Sequence, residues 1–346
     1  MRKDPSVKNP VIAMAVVCLA LCSVVLPSFA QQYTIKFATL ATDGTTWLNV
    51  MREYDAAVRK ESGGRMGFKL YPGGVQGEDK DVMRKIRLGQ LHSAGITGVG
   101  VGEISPKLRI HDAPFLFENP AEVDYFLKTF ESELNAEFTK NDFVNLGWAE
   151  VGFVYVLTNK PVRSVADMNG VKMWAWEGDP IAAAAFQALG ISPIPLSVTD
   201  VLTSLQTGLI NGAYTSPLAA VALQWNTRVK YMLNVPLADA SGAVVISKKK
   251  FDTLPPDLQE ILLRNGRKYM GELTRKSREE NAAAIQTMKK NGVQVLEVAD
   301  PKMLKEFAAT GKKARQSLVG KLFDQDFLNR VEKAIADFRA AQGKSK

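Results

Sequence analysis

The chain has 346 residues, of which 44 are Lys or Arg and 36 are Asp or Glu, so its formal net charge is +8, and 46% of its residues are hydrophobic. This length supports one large domain or two ordinary ones, and the balanced composition excludes disordered, collagen-like and disulfide-stapled chains. Basic and acidic residues alternate along most of the sequence, as between Lys276 and Glu280, so the positive charge does not predict a nucleic-acid partner.

The first thirty residues differ from the rest. Basic residues precede an apolar run over residues 11–26, and small residues at Ser28 and Ala30 mark a cleavage site after Ala30, which predicts a secretory signal peptide over residues 1–30. The run is shorter than the roughly 20 residues of a spanning helix, which argues against a retained anchor. Both cysteines, Cys18 and Cys22, lie in this segment, so we expect the mature chain to have no disulfide and no thiolate chemistry.

Strands and helices alternate over the first hundred mature residues. The predicted strands are 33–39, 68–71 and 93–97, and the predicted helices are 46–62 and 78–88. Such alternation predicts a parallel sheet with helices on its faces, and ligands of such sheets bind beyond the carboxyl ends of the strands.

Five residues stand where this first sheet would place a cleft. Thr39, Thr42 and Trp47 flank the carboxyl end of the first strand, and Thr97 and Gly98 end the third. Trp47 can equally serve as packing on its helix.

The strand and helix pattern restarts after residue 150. Strands are predicted at 151–159, 171–176 and 242–247, and helices at 181–189, 201–207 and 219–225. A very long helix is predicted from Pro256 to Asn291, on the order of 50 Å in length, and we expect it to span two lobes. The sequence therefore predicts an α/β chain of two lobes, each with a mainly parallel sheet flanked by helices.

Catalytic and metal-binding patterns are weak. His92 and His111 have no partner at helical spacing, so we interpret each as a satisfied surface or loop histidine, and we expect no metal and no cofactor. The glycines over residues 98–102 follow a strand but lack the lysine of a phosphate loop and a helix-opening pattern, so close backbone packing explains them better. An exported two-lobed chain of this kind predicts a cleft that closes on a solute by hinge motion, and not an enzyme.

Several segments resemble the DctP-type substrate-binding proteins of TRAP (tripartite ATP-independent periplasmic) transporters. In the first half the resemblance lies in Arg84–Phe117. In the second half it lies in Ala166–Met173, Ala188–Leu196 and Asp200–Ala220, and the long helix after residue 255 is a further trait of the family.

This resemblance implies a periplasmic receptor that encloses a small solute between two lobes joined by a hinge. It also implies delivery of that solute to a small and a large integral membrane subunit. The expected boundaries are 31–151 with 240–279 for lobe I, and 152–239 with 280–346 for lobe II. A secreted enzyme on the same fold, or a receptor that signals to a sensor, is the alternative.

One departure from the family concerns the ligand. Most members carry G-x-K-x-R in the second strand of lobe II, and its arginine binds the ligand carboxylate through two hydrogen bonds. Here the segment Gly170–Trp174 places Trp174 at the arginine position. A second arginine that some members carry would fall at Val154, so it is absent as well.

Two interpretations of this departure stay open. In the first, Trp174 and Trp176 form an aromatic wall with Glu177 nearby, which suits a cation or a neutral apolar solute. In the second, the ligand is an acid whose charge meets the N-terminus of the helix at Pro180, or a basic residue such as Arg109 or Lys172.

Each candidate also has a purely structural interpretation. The two tryptophans can belong to the core, and Glu177 to a solvated turn. Asp179 can serve only as a helix cap. Three further candidates lie before a proline, where the family usually contacts its ligand, and the last of them can be only an N-cap: Tyr214, Thr215 and Ser216.

Overall fold

The computed structural model describes residues 32–343, so the predicted signal peptide and its cleavage site lie outside the described residues. The strands are β1 (Tyr33–Thr39), β2 (Met66–Tyr71), β3 (Ser93–Ile96), β4 (Phe143–Thr158), β5 (Trp174–Trp176), β6 (Ile194–Leu196), β7 (Gly212–Thr215), β8 (Tyr231–Leu233), β9 (Ala238–Ser247) and β10 (Gln294–Leu296). The helices are α1 (Thr46–Glu61), α2 (Asp79–Arg87), α3 (Gly98–Ile104), α4 (Pro120–Lys140), α5 (Pro180–Ala188), α6 (Val201–Thr207), α7 (Pro217–Ala222), α8 (Lys248–Phe251), α9 (Pro256–Lys290), α10 (Pro301–Ser317) and α11 (Gln325–Gly343).

Strand order divides the sheet into two halves. The continuous order is β10-β8-β4-β9-β3-β1-β2, with β7 also paired to β4, while β5 and β6 form a separate parallel pair. Lobe I is the half with β1, β2 and β3, and lobe II is the half with β7, β8 and β10 and the β5-β6 pair. This two-lobed α/β architecture agrees with the sequence-based expectation.

The two long strands β4 and β9 cross between the lobes. Within lobe I, β4 runs in the direction of β1, β2 and β3, and β9 is the reversed strand. In lobe II, β4 is the reversed strand between β7 and β8. Each lobe therefore has mainly parallel strands and receives one antiparallel strand from the crossing pair.

The long helix α9 connects the same two halves. It has 35 residues, and it packs against β4, α1 and α7. Its buried side chains lie along its whole length, including Leu258, Met270, Ala284 and Met288. The predicted long helix is thus confirmed, and it contributes to the cores of both lobes.

Hydrophobic side chains cover both faces of each half of the sheet. In lobe I, one core lies under α1 and α9 and the other under α4 and α11. Ile181 and Ala184 of α5, which belongs to lobe II, are part of this second core, so the two lobes are in direct apolar contact. No helix within residues 32–343 is both long and apolar enough to cross a bilayer.

Several elements differ from their predictions. The glycine-rich segment after β3 opens a true helix, α3, because Thr97 caps it by accepting a hydrogen bond from the backbone N–H of Val99. The expected close packing of these glycines is also present, since a Cβ on Gly98 would lie 1.9 Å from an oxygen of Asp112. β4 begins at Phe143, eight residues earlier than predicted, because its first part completes lobe I.

Candidate functional site

Trp174 lies in the core of lobe II. It is 2% exposed, and its ring stacks on Tyr214 at 4.9 Å and meets Trp225 edge-on at 5.2 Å. Its indole Nε1–H donates to the backbone oxygen of Leu196 on the neighbouring strand at 3.0 Å. This is the environment of a packed aromatic residue with a satisfied polar atom.

Trp176 lies two residues further along β5, at the boundary between the lobes. It is partly exposed, and its indole Nε1–H donates across this boundary to Glu78 Oε2 at 3.1 Å. Its backbone N–H faces the hydroxyl of Tyr214 at 3.3 Å. Glu177, the next residue, is exposed, and no hydrogen bond of its carboxylate is found among the described residues.

A buried ion pair joins the lobes at the start of α5. Arg109 of lobe I donates from Nη2 to Asp179 Oδ1 at 2.9 Å and from Nε to Asp112 Oδ2 at 2.8 Å. The side chains of Arg109 and Asp179 are 5% and 8% exposed. Burial alone would lower the pKa of Arg109, but the two carboxylates raise it above its usual value, so the guanidinium stays charged.

Asp179 has a second role in this arrangement. As predicted, it caps α5, because its Oδ1 accepts the N–H of Ile181 at 3.0 Å. The helix N-terminus and Arg109, two of the positive groups that the sequence offered for a ligand acid, therefore converge on one carboxylate of the chain itself.

His111 continues the charged chain toward the crossing strand β9. It is 1% exposed, with Nδ1 at 3.4 Å from Asp112 and Nε2 at 3.5 Å from Asp239 Oδ2. Among the described residues, His111 Nε2 and Asp239 Oδ1 have no hydrogen-bond partner. The interpretation of His111 as a satisfied surface or loop histidine is therefore wrong, because the turn before it folds under α4 and buries the ring against Trp148.

The pKa values of both Asp239 and His111 depend on their burial and on the charges around them. Burial raises the pKa of Asp239 to about 7, with the charge of His111 opposing and that of Glu150 adding to the shift. For His111, burial alone would lower the pKa, but the hydrogen bond to Asp112 and the charges of Asp239 and Glu150 raise it above its usual range. Because the two groups face each other, the protonation of one affects the pKa of the other.

Among the remaining lobe II candidates, Tyr214 and Ser216 make contacts within lobe II itself. Tyr214 stacks on Trp174 at 4.9 Å, and burial strongly raises the pKa of its hydroxyl. Ser216 is buried and caps α7 by accepting the N–H of Ala219 at 3.2 Å. Thr215 is partly buried on β7, and Lys172 is exposed before β5.

The lobe I candidates lie at strand ends, as predicted. Thr39 is buried and accepts the N–H of Ala41 at 3.2 Å, whereas Thr42 is exposed in the following loop. Trp47 packs into a lobe I core, with its ring against the backbone of Gly95. Thr97 donates its hydroxyl to the buried Asp79 at 2.5 Å.

A cavity of about 220 Å³ lies between the lobes beside the ion pair of Arg109. Lobe I contributes Lys80 and Arg109 to its wall, and lobe II contributes Gly178 and Pro180. Lys80 reaches across to lobe II, since a Cβ on Gly178 would lie 2.5 Å from its Nζ. Within residues 32–343, no three His, Cys, Asp or Glu side chains are grouped so that they could hold a metal ion.

Comparison with known proteins assigns the family. The profile of the bacterial extracellular solute-binding protein family 7 (DctP) matches residues 37–321. The chain belongs to this family. The predicted membership of the DctP-type TRAP substrate-binding proteins is thereby confirmed, and the chain is a solute receptor.

Individual relatives and structures agree with this assignment. The 2,3-diketo-L-gulonate-binding periplasmic protein YiaO of Escherichia coli (strain K12) is 26% identical over 299 residues, which cover 84% of this chain and 88% of that protein. A TRAP periplasmic solute-binding protein of Ochrobactrum anthropi has the same fold, with a TM-score of 0.81, 24% identity and coverage of 91% and 98%. An extracytoplasmic solute receptor of Bordetella pertussis that binds pyroglutamic acid gives a TM-score of 0.80 at 20% identity, with coverage of 88% and 99%.

Sequence reasoning missed the residues that join the lobes of this family 7 receptor. The sequence pattern assigns Glu78 only to the start of a helix, and it assigns no role to Asp239. Acidic residues are common at helix starts because they favour the helix N-terminus, so the pair Glu78-Asp79 gives no local sign that Glu78 binds the opposite lobe. Nothing local in the sequence marks Asp239, because its burial depends on the pairing of β9 with β4.

Proposed function

We propose that this receptor captures a small organic acid in the periplasm and delivers it to the small and large membrane subunits of a TRAP transporter. The observation that carries this proposal is the cleft between the lobes, which is closed by the buried pair of Arg109 and Asp179 in a chain of family 7. Export by a signal peptide cleaved after Ala30 is part of the same proposal.

The boundaries between the lobes are proposed at 31–151 with 240–279 and at 152–239 with 280–346, except that the C-terminal helix α11 packs on the core of lobe I. Three features support them. The pairing of β4 with β9 is irregular between Glu150 and Gly152, and Gly152 pairs with Ala240. Asn281 of α9 donates to the backbone oxygen of Val151 at 2.8 Å, which ties the long helix to the same point. β-Bulges bend strands at such positions, so a hinge fits here.

The acid interpretation is favoured over the aromatic one. Trp174 is buried and its indole N–H is used within lobe II, so it offers no open ring face to a cation. Lys80 lines the cavity between the lobes, and no carboxylate among residues 32–343 lies within ion-pair distance of its ammonium. The acidic residue in the same wall, Glu103, pairs with Arg87 of lobe I. The similar receptors of Escherichia coli and Bordetella pertussis are named for sugar-acid and pyroglutamic acid ligands.

The cavity also limits the size of the solute. At about 220 Å³ it is smaller than the roughly 300–1,000 Å³ of pockets for drug-sized ligands. Its apolar wall is formed by Val99, Pro106, Pro180 and Leu322. We therefore expect a small acid with an apolar portion, whose carboxylate meets Lys80.

A thermal-shift screen of residues 31–346 tests this proposal. Carboxylates including pyroglutamate and sugar acids are compared with amines and neutral polyols, since a ligand that binds only the folded state raises the melting temperature. For a carboxylate that binds, calorimetry should show a Kd at least tenfold weaker in Lys80→Met. The matched control is Lys128→Met, an exposed lysine on α4, which should bind as the parent does. Binding of amines or polyols alone would reject the acid ligand, and equal Kd values for both variants would reject Lys80.

A further inference from the structure

Glu78 of lobe I is bonded to lobe II by both oxygens of its carboxylate. Oε2 accepts the indole N–H of Trp176 at 3.1 Å. Oε1 accepts the hydroxyl of Ser197 at 2.5 Å and the backbone N–H of Val198 at 3.1 Å. These partners lie 98 to 120 residues away along the chain, on β5 and on the turn after β6.

The position of Glu78 in its own helix makes this pattern informative. It occupies the N-cap of α2, where a side chain usually accepts a backbone N–H of the same helix, but it makes no such bond. Its carboxylate instead meets the first N–H of the short helical turn Val198–Asp200 of the opposite lobe. A backbone N–H that donates to an ionised carboxylate forms a charge-assisted hydrogen bond, which is stronger than one between neutral groups.

We propose that Glu78 is a latch that holds the two lobes in their closed arrangement and fixes the orientation of the Trp176 indole. This inference rests on the closing motion in the proposed function. Opening the cleft exchanges three hydrogen bonds with one carboxylate for hydrogen bonds with water. The latch therefore shifts the balance between open and closed forms by a modest free energy and leaves opening possible.

Glu78 can be tested more cleanly than the second contact between the lobes. Removing Arg109 would leave Asp179 buried without a counter-charge and Asp112 with only His111 as a basic neighbour, which destabilises the fold itself. Glu78 is partly exposed, and its removal leaves only donors that water can reach when the lobes separate. A Glu78 variant thus changes the opening equilibrium without an unpaired buried charge.

The experiment measures the separation of the lobes in the absence of any solute. The predicted mature chain has no cysteine, so two introduced cysteines can each carry one spin label. Leu88→Cys places a label after α2 of lobe I, and Thr203→Cys places one on α6 of lobe II; both positions are exposed. Pulsed dipolar spectroscopy then gives the populations of short and long distances. In the labelled parent we expect a measurable short-distance population, and in Glu78→Ala a ratio of short to long at least tenfold lower.

Two further variants complete the series. Trp176→Phe removes one of the three hydrogen bonds and keeps a ring, so it should lower the ratio by a few-fold. Asp81→Asn removes a carboxylate that pairs with Arg84 on the same helix, and it should leave the ratio unchanged. Circular dichroism and melting temperature verify that each variant folds, and Trp176→Phe carries the test if Glu78→Ala does not fold.

Two results would overturn the latch. One is a labelled parent with only the long distance, and the other is a Glu78→Ala or Trp176→Phe distribution identical to that of Asp81→Asn. Neither depends on the solute screen. If no solute of any class binds while the latch variants behave as expected, the proposed function fails and the latch stands.

Discussion

Trp174 shows how the environment of one residue decides between two interpretations. The family pattern places an arginine there, and from sequence a tryptophan could equally face a ligand or the core. In the structure its ring is enclosed by Tyr214, Trp225 and Trp176, and its N–H is bonded to Leu196. We therefore assign its main contribution to the stability of lobe II.

Trp174→Ala tests that assignment. Loss of a fully packed aromatic side chain should lower the free energy of unfolding by about 3–5 kcal/mol in urea titrations. Val75→Ala, which removes an apolar side chain that is 69% exposed, should change it by less than about 0.5 kcal/mol. Similar effects of the two variants would show that Trp174 is not a core residue.

Asp239 gives the protein a pH-dependent stability near neutrality. Burial raises the pKa of Asp239 to about 7, whereas the pKa of the same carboxyl group in the unfolded chain is about 4. Between about pH 5 and 7 the folded state therefore holds more protons, so raising the pH lowers the free energy of unfolding, by at most about 1.4 kcal/mol per pH unit for one proton. The raised pKa of His111 acts in the same direction.

Urea unfolding at pH 5, 6, 7 and 8 measures this slope. Asp239→Asn keeps the shape of the side chain and removes its titration, so the slope should become flatter. Asp337→Asn is the control, because its exposed carboxylate pairs with Lys333 of the same helix, α11, and is not part of the buried pair. A slope in Asp239→Asn equal to that of the parent would contradict the assignment.

At the scale of elements, β4 and α9 determine how the lobes are joined. β4 changes its pairing near Gly152, which has a φ of +116°. A Cβ at this position would lie 2.3 Å from the side-chain nitrogen of Asn281 on α9. The glycine is therefore required both by the backbone conformation and by the close approach of the long helix.

A pair of glycine variants tests this element. Gly152→Ala should lower the free energy of unfolding by about 1–3 kcal/mol, because it combines strain with a steric clash. Gly271→Ala lies in α9 with open space around the new methyl group, and it should raise stability by about 0.5–1 kcal/mol. Thermal and urea unfolding measure both, and equal effects of the same sign would contradict the special role of Gly152.

At the scale of the whole molecule, a few polar contacts close the cleft. The chain Asp239, His111, Asp112, Arg109 and Asp179 runs through the interior from the crossing strand β9 to the first turn of α5 in lobe II. Within this chain, the contacts among Arg109, His111 and Asp112 lie inside lobe I, whereas the pair of Arg109 with Asp179 reaches lobe II and exists only when the lobes are together.

Arg109→Met tests the centre of this chain. Because the buried carboxylate of Asp179 loses its partner and that of Asp112 keeps only His111, we expect a loss of about 3–5 kcal/mol in the free energy of unfolding. Arg84→Met removes an exposed arginine whose pair with Asp81 lies on one helix, and it should cost less than about 1 kcal/mol. Urea titrations compare the two, and a loss in Arg109→Met as small as in the control would mean that the pair contributes little.

Much of the local structure could be predicted from sequence, because it depends on neighbours along the chain. The capping of α5 by Asp179 and of α7 by Ser216, and the end of α6 at Gly208 in a left-handed conformation, follow local rules. Glycine is a poor helix former, so the sequence pattern does not predict the helix α3. The helix contains glycines because Asp112 and Arg109 pack against it too closely for a Cβ.

The sequence by itself determined the α/β class, the restart after residue 150, the long helix and the family, since each rests on periodicity or on ordered motifs. Only the tertiary structure decided that Trp174 is buried, that His111 and Asp239 meet, and that Glu78 and Arg109 reach the opposite lobe. The physical reason is that these contacts join residues tens to more than a hundred positions apart. Burial and partner choice over such separations arise from the packing of the two lobes, which no local pattern encodes.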